Sequence, residues 1–318
     1  MELVERMLAG DSQSLAKLIT LMERGDEAIP EIMREIQPHL HQAYVCGFTG
    51  PPGSGKSTLV DRLTTLLRRD GYCVGIIAVD PSSPFTGGAV LGDRIRMQQH
   101  YLDGGVFIRS MALRESRGGL PRTVGGVIKL MDASGKDFIL VETVGVGQTE
   151  LDIMKNADTV TVLLTPEAGD PVQALKAGLL EIADILAVNK ADREGADDMI
   201  ASLMTLLSYY PKSGWWQTPI LATQALNNIG IEELYAAIKR HKQALEETGH
   251  LEERRREQRR EELLKLIMER LSSRLNQLMT EDEDFLSYLV KVEEGTMDAY
   301  SAYAEILSNK TLLRKWLG

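Results

Sequence analysis

The stretch Gly50-Pro51-Pro52-Gly53-Ser54-Gly55-Lys56-Ser57-Thr58 fills every fixed position of the phosphate-loop pattern GxxxxGK[ST]. The apolar run Ala43-Tyr44-Val45-Cys46-Gly47-Phe48-Thr49 before it reads as a buried strand, and residues 58–67 after it carry apolar side chains at helical spacing. Strand, loop and helix are the context this motif requires. Phosphate binding needs several backbone N–H groups turned into one concavity, so Gly50, Gly53 and Gly55 suit the tight turns, and the following helix offers its partly positive N-terminus. Lys56 is expected to reach the β- and γ-phosphates and Ser57 to place its hydroxyl on Mg²⁺, while Pro51 and Pro52 stiffen the loop.

Outward from this loop the pattern alternates. Strand-like runs stand at 74–79, 106–108, 138–141, 160–164, 185–188 and 220–222, with helix-like segments at 91–102, 122–133, 151–156, 172–182, 197–209 and 231–245. That order predicts an α/β fold with a mainly parallel sheet and helices on both faces. Ligands then lie at the carboxyl ends of the strands, which makes polar residues just after a strand the candidates for the site.

Asp80 ends one such strand and opens a Pro-, Ser- and Gly-rich loop that runs to Asp93, so both carboxylates are candidates beside the phosphates. Glu142-Thr143-Val144-Gly145 ends another strand and resembles the DxxG signature of a GTPase switch, with Glu for Asp. The Gly145 N–H would sense a γ-phosphate, and Glu142 could hold Mg²⁺ directly or through water. Asn189-Lys190-Ala191-Asp192 matches NKxD at the end of the 185–188 strand; its Asp would accept from guanine N1–H and the 2-amino group, donors that adenine lacks. Thr223 and Gln224, after the last strand, stand where a loop contacting guanine O6 is expected. In the segment 165–178, capping of a helix by Asp170 with Pro171 in its first turn competes with a role in reporting the nucleotide state to a partner.

The 318 residues suffice for one large α/β core with helical appendages: an N-terminal extension over 1–40, a nucleotide domain over 41–250 and a C-terminal arm over 251–318. A formal net charge of −10 at pH 7 argues against a general nucleic-acid binder. No apolar run is long enough to span a bilayer and the N-terminus lacks a signal-peptide pattern, so no membrane partner and a cytoplasmic location are expected. Cys46 and Cys73 read as core residues, Trp215-Trp216 as packing, and the five histidines, which show no metal-ligand spacing, as surface residues. The run 252–262 interleaves Glu with Arg and reads as a solvated, ion-paired helix. Beyond it Leu263, Leu264, Ile267, Met268, Leu271 and Leu275 form a helical apolar stripe that needs a surface, and reach favours a second copy of the chain.

The phosphate loop, Asp80-Pro81-Ser82-Ser83-Pro84, Gly92-Asp93, Glu142-Thr143-Val144-Gly145-Val146-Gly147-Gln148 and the NKAD sequence together closely resemble the MeaB/ArgK family of GTPases, over nearly the whole chain. The resemblance implies a P-loop GTPase of the SIMIBI-like G-domain class that binds GTP or GDP with Mg²⁺. It implies an adenosylcobalamin-dependent partner, methylmalonyl-CoA mutase or a related acyl-CoA mutase, whose cofactor loading and protection are gated by GTP hydrolysis; cobalamin would be met only through that partner. By the same resemblance Ser57, Asp80, Asp93 and Glu142 match the Mg²⁺ residues, with Lys56, Asp93 and Glu142 as the catalytic set. Asp170, Gln173 and Lys176 match a third switch at the mutase interface, though Thr165-Pro166-Glu167-Ala168 replaces a glycine-rich run. Residues 251–318 match a homodimerisation arm.

Val146 stands where Ras-type enzymes carry a water-orienting glutamine, which implies slow intrinsic hydrolysis completed by a partner. Three alternatives share parts of the pattern. A nickel-inserting GTPase would commonly add a His- or Cys-rich tract; a small-molecule P-loop kinase, such as one serving amino-acid transport, would have no need of NKAD; and a scaffold would bind nucleotide without turnover.

Overall fold

Alternate residues of the central strands enter opposite cores. In β1 (Tyr44–Thr49), Tyr44, Cys46 and Phe48 join one apolar cluster and Val45 joins another; in β4 (Phe138–Glu142), Phe138 and Leu140 separate in the same way from Ile139 and Val141. Such two-sided burial requires helices on both faces. The computed structural model describes residues 2–81, 97–113, 123–143, 153, 155–166, 178–209 and 214–317. With β2 (Val74–Pro81), β3 (Val106–Leu113), β5 (Thr159–Leu164), β6 (Ile185–Asn189) and β7 (Ile220–Thr223), the strands form one seven-stranded sheet in the order β3-β2-β4-β1-β5-β6-β7, and every pairing is parallel. The expected α/β architecture is therefore the observed one.

Eight helices of the first unit cover this sheet among the described residues: α1 (Glu2–Leu8), α2 (Ser12–Arg24), α3 (Ile29–Ile36), α4 (Lys56–Arg69), α5 (Val124–Ala133), α6 (Leu179–Ile182), α7 (Ala196–Tyr209) and α8 (Ile231–Thr248). α4 and α8 close the core that holds Phe48, through residues such as Leu59, Leu63, Leu234 and Ile238. The other core takes Met7, Leu18, Ile36, Val127, Leu179 and Leu203, so the N-terminal helices share that face with α5, α6 and α7. The link from α3 into β1 is held by the Asp132 carboxylate, which accepts the backbone N–H groups of His41 (3.0 Å), Gln42 (3.2 Å) and Ala43 (3.0 Å). Gln42 takes φ 62° in that turn, a conformation these bonds help to secure.

The chain divides into two units, Met1–Arg255 and Arg256–Gly318, the boundary falling inside α9 (His250–Glu281). The first turns of α9 correct the reading of a solvated helix. Arg254 pairs with Asp184 and Arg255 with Asp158, two carboxylates at the amino ends of β6 and β5 that are almost wholly buried. Two histidines also depart from expectation: His241 on α8 is 0% exposed and His100 is 6% exposed. His241 Nδ1 lies 2.8 Å from Thr159 Oγ1, and the ring packs against Trp215 and Trp216. Each of these long side chains answers a buried polar group from a distant element, a demand that local spacing does not display.

The second unit packs α9 with α10 (Glu283–Glu293), α11 (Ala299–Ser308) and α12 (Lys310–Leu317) around Leu278, Phe285, Ile306 and Leu312. Asp282 caps α10, and Trp316 Nε1 donates to Leu271 O at 2.9 Å. The apolar stripe divides here: Leu275 packs on this small core, while Leu263, Leu264, Ile267 and Met268 are 46 to 62% exposed. No helix among the described residues is long and apolar enough to cross a membrane.

Candidate nucleotide-binding site

β1 lies at the centre of the sheet between β4 and β5, and its carboxyl end opens into the loop that becomes α4. Here the connections leave toward opposite sides of the sheet, the place where open α/β sheets bind ligands. Gly50 takes φ 140°, and a Cβ there would stand 2.0 Å from Leu163 O of β5; at Gly55, φ 92°, it would stand 2.3 Å from Asn189 Nδ2. Both positions therefore demand glycine, and together they let the loop sit down between β5 and β6. α4 begins at Lys56, so its first N–H groups are those left without an intrahelical acceptor and turned toward the loop.

Lys56 arches back over this loop. Its Nζ donates to Gly50 O at 2.8 Å and to Pro51 O at 3.1 Å, which holds the ammonium above the phosphate cradle. Ser57 Oγ donates to Glu142 Oε1 at 2.7 Å, bringing a P-loop hydroxyl and the carboxylate at the end of β4 together. Hydroxyl and carboxylate oxygens are the donor set that Mg²⁺ prefers, so the residues present fit that ion. β2 pairs with β4 at Ala78 and Glu142, which places the Asp80 backbone just past the same edge.

Asn189 connects the phosphate loop to the far side of the site. Its Nδ2 donates to Ser54 O at 2.7 Å, while its Oδ1 accepts Ala225 N at 3.1 Å and Thr223 Oγ1 at 3.2 Å. Thr223 thus orients Asn189, and Thr223 O accepts Ala191 N at 3.0 Å, which ties the NKAD turn to β7. Lys190 takes φ 57° in this turn, and Asp192 is exposed beyond it. Gln224 closes the next turn by a bridge to Ile229 and accepts Asn227 Nδ2 on its side chain at 3.0 Å.

Behind the site, Asp61 on α4 meets the chain entering β3. His100 Nε2 stands 3.3 Å from Asp61 Oδ1, and Gln99 Nε2 donates to Asp61 Oδ2 at 2.7 Å. Burial disfavours the charged imidazole, but the hydrogen bonds to the Asp61 side chain and carbonyl and the neighbouring carboxylates outweigh it, so the His100 pKa is raised.

The structure brings Lys56, Ser57, Glu142, Asn189 and Thr223 into one connected arrangement. Asp93, Gly145, Asp170, Gln173 and Lys176 lie outside the described residues, as does the Asp80 side chain. Sequence reasoning passed over Thr49 and Thr143, although both sit inside quoted motifs: Thr143 Oγ1 donates to Thr49 Oγ1 at 2.9 Å, and both side chains are buried. It also missed that Asn189 acts on Ser54 and Ala225, contacts 135 and 36 residues away in the chain.

Comparison with known proteins gives the family. The family model described as methylmalonyl Co-A mutase-associated GTPase MeaB matches residues 15–280. A Pyrococcus horikoshii protein whose name marks it as a GTPase is 49% identical over 317 residues, 98% of either chain. GTPase ArgK of Escherichia coli is 35% identical over 310 residues, 93% of this chain and 92% of its own length. The Mus musculus protein named methylmalonic aciduria type A homolog, mitochondrial, is 32% identical over 231 residues, 70% of this chain and 55% of that one. Among solved structures, one described as a LAO/AO transport system kinase is 28% identical with a TM-score of 0.70, covering 96% of both chains. A phosphate loop joined through Asn189 to an NKAD turn, on a chain matched by this family model over 15–280, places the protein in the MeaB family of P-loop GTPases.

Proposed function

We propose that this GTPase serves an adenosylcobalamin-dependent acyl-CoA mutase, methylmalonyl-CoA mutase or a relative, and that GTP hydrolysis gates loading and protection of the mutase cofactor. The observation that carries this reading is the match of the mutase-associated family model over residues 15–280. In this reading cobalamin belongs to the partner mutase, whose association the family description names.

The reaction is attack of water on the γ-phosphorus of GTP: an oxygen–phosphorus bond forms, the bond to the bridging oxygen breaks, and GDP and phosphate leave with release of a proton. Its transition state spreads negative charge over the phosphoryl oxygens, so placement of cations and donors supplies the catalysis. Lys56, already poised above the loop, donates to those oxygens when its bonds to Gly50 O and Pro51 O are exchanged for phosphate. Ser57, Glu142, Asp80 and Asp93 would hold Mg²⁺, which neutralises the phosphate charge when bound. Asn189 and Asp192 select guanine, with Lys190, Thr223 and Gln224 shaping the base pocket. Gly145 reports the γ-phosphate, and Asp170, Gln173 and Lys176 carry that report to the mutase. Two copies of the chain would associate through the arm.

A kinase reading is suggested by the description of the transport-system relative, but phosphoryl transfer to a small molecule has no need of the guanine-reading NKAD sequence. Phosphate release from GTP, measured alone and with a purified acyl-CoA mutase, tests the proposal. Stimulation by the mutase, and GTP-dependent transfer of adenosylcobalamin to it, are expected. No stimulation and no change in cofactor loading would overturn it.

A further inference from the structure

We infer that the Thr49–Thr143 hydroxyl pair is a positioning device that sets how closely Glu142 approaches Ser57. This rests on the reading of Ser57 and Glu142 as Mg²⁺ residues. The pair closes a ring of neighbours. Thr49 precedes Gly50, whose carbonyl accepts Lys56 Nζ; Ser57 follows Lys56 and donates to Glu142; Thr143 follows Glu142 and returns to Thr49. Thr143 N also donates to Phe48 O at 3.0 Å, which carries the β1–β4 pairing one residue past its last register partner, Phe48 with Glu142. Both hydroxyls are buried, at 0% and 1% exposure, so water does not compete for this bond.

Distance gives the pair its function. Two hydrogen-bonded oxygens stand here at 2.9 Å, whereas apolar carbons in contact keep about 3.5–4.0 Å. No hydrophobic pair of the same shape could hold the ends of β1 and β4 so close. Opening that gap by up to about 1 Å would displace Glu142 from Ser57, and a misplacement of that order is known to cost up to about a hundredfold in rate where charges must be aligned. The NKAD turn, held to Ser54 and Ala225 through Asn189, lies outside this ring, so nucleotide affinity without metal should change far less than the rate.

Four variants of the full-length protein separate this role from simple packing: Thr49→Val, Thr143→Val, the double Val variant, and Thr143→Ser. Each single Val strands a buried hydroxyl and should lower stability; the double variant removes both hydroxyls and should recover much of it. The kcat for GTP should nevertheless stay down about tenfold in all three, with KM within about twofold. In a titration of Mg²⁺ against protein loaded with a fluorescent GDP analogue, the half-saturating Mg²⁺ concentration should rise several-fold in the same three variants, while Thr143→Ser matches wild type. A double variant that regains kcat and Mg²⁺ response together with stability would reduce the pair to packing and overturn the inference. Wild-type protein whose GDP complex does not respond to Mg²⁺ would instead overturn the reading of Ser57 and Glu142 on which it rests.

Discussion

Arg255 grips Asp158 with two parallel hydrogen bonds, Nε to Oδ1 at 2.9 Å and Nη2 to Oδ2 at 2.7 Å, at a residue only 2% exposed. The same carboxylate accepts Val45 N at 2.9 Å, and Arg255 also donates to Ala43 O at 3.1 Å, so one guanidinium secures the amino ends of β1 and β5. Burial opposes the charge on Arg255, but the bonds to Asp158 and its charge outweigh that and raise its pKa further. Taking away one partner leaves a buried charge without its counterion, which costs about 3–5 kcal/mol. Arg255→Ala should therefore destabilise the first unit by about 3 kcal/mol in urea denaturation, and Arg255→Lys, which loses the two-pronged geometry, by less. A loss under about 0.5 kcal/mol would mean that the start of α9 is not a structural clamp.

The His100–Asp61 pair predicts a dependence on pH. A histidine whose pKa is raised on folding stabilises the fold while it is charged. That contribution is complete below the ordinary histidine value of about 6.5 and is lost as pH rises through the higher folded value. His100→Gln keeps a donor toward Asp61 but cannot carry charge. The stability advantage of wild type over this variant, measured by denaturation from acid to mildly alkaline pH, should be largest at the acid end and fade as pH rises through the folded histidine value. A constant difference would show that His100 does not titrate with folding.

How far such features can be read from sequence depends on how local they are. The phosphate loop was legible because strand, turn glycines and helix start follow one another within sixteen residues, β1 through the first turn of α4, and NKAD because four consecutive residues carry it. Arg255 was not, because interleaved Glu and Arg look alike whether they face water or a buried Asp158 lying 97 residues earlier. His241 escaped for the converse reason: on α8 it shows only helical spacing, and its burial is imposed by Thr159, Trp215 and Trp216.

Ser54 offers a test of the loop itself. Its carbonyl accepts Asn189 Nδ2, but its hydroxyl is fully buried with no hydrogen-bond partner among the described residues. Ser54→Ala removes the desolvated hydroxyl and keeps the carbonyl contact, so it should be neutral or stabilising by up to about 1 kcal/mol. Thermal denaturation of nucleotide-free protein decides this. A clear drop in the midpoint would mean that the hydroxyl serves a group outside the described residues.

Asp192 tests the assignment of the base. It is exposed at the end of a turn that Ala191 N and Asn189 fix to β7, as a group waiting on a ligand would be. Its carboxylate can only accept hydrogen bonds, which suits the guanine N1–H and 2-amino donors; an amide can donate to the 2-oxo group of xanthine. Asp192→Asn should shift preference from GTP toward XTP in competition binding. A variant that still prefers GTP, or a wild type that prefers ATP, would remove NKAD from the base pocket.

The arm carries the last prediction. Leu263, Leu264, Ile267 and Met268 occupy two successive turns of α9 and remain about half exposed in the single chain, whereas Leu275 on the same helix is covered by the second unit's own core. Burying a side chain of this size contributes about 1.5–3 kcal/mol. Because about half of each is already covered, four from each of two copies supply on the order of 6–12 kcal/mol gross, a range that overlaps the roughly 4–15 kcal/mol for lost translational and rotational freedom. Association of two chains through this stripe is the expected outcome, with the stripe supplying the apolar part of the contact. A double substitution, Leu264→Glu with Ile267→Glu, would place two charges in the contact without touching the nucleotide site or the Arg255 clamp. Light scattering should then report a dimer for wild type and a monomer for the variant, with GDP affinity within about twofold in both, because repulsion and desolvation of buried carboxylates exceed the net gain. A monomeric wild type, or a variant that remains dimeric, would show that this stripe is not the contact.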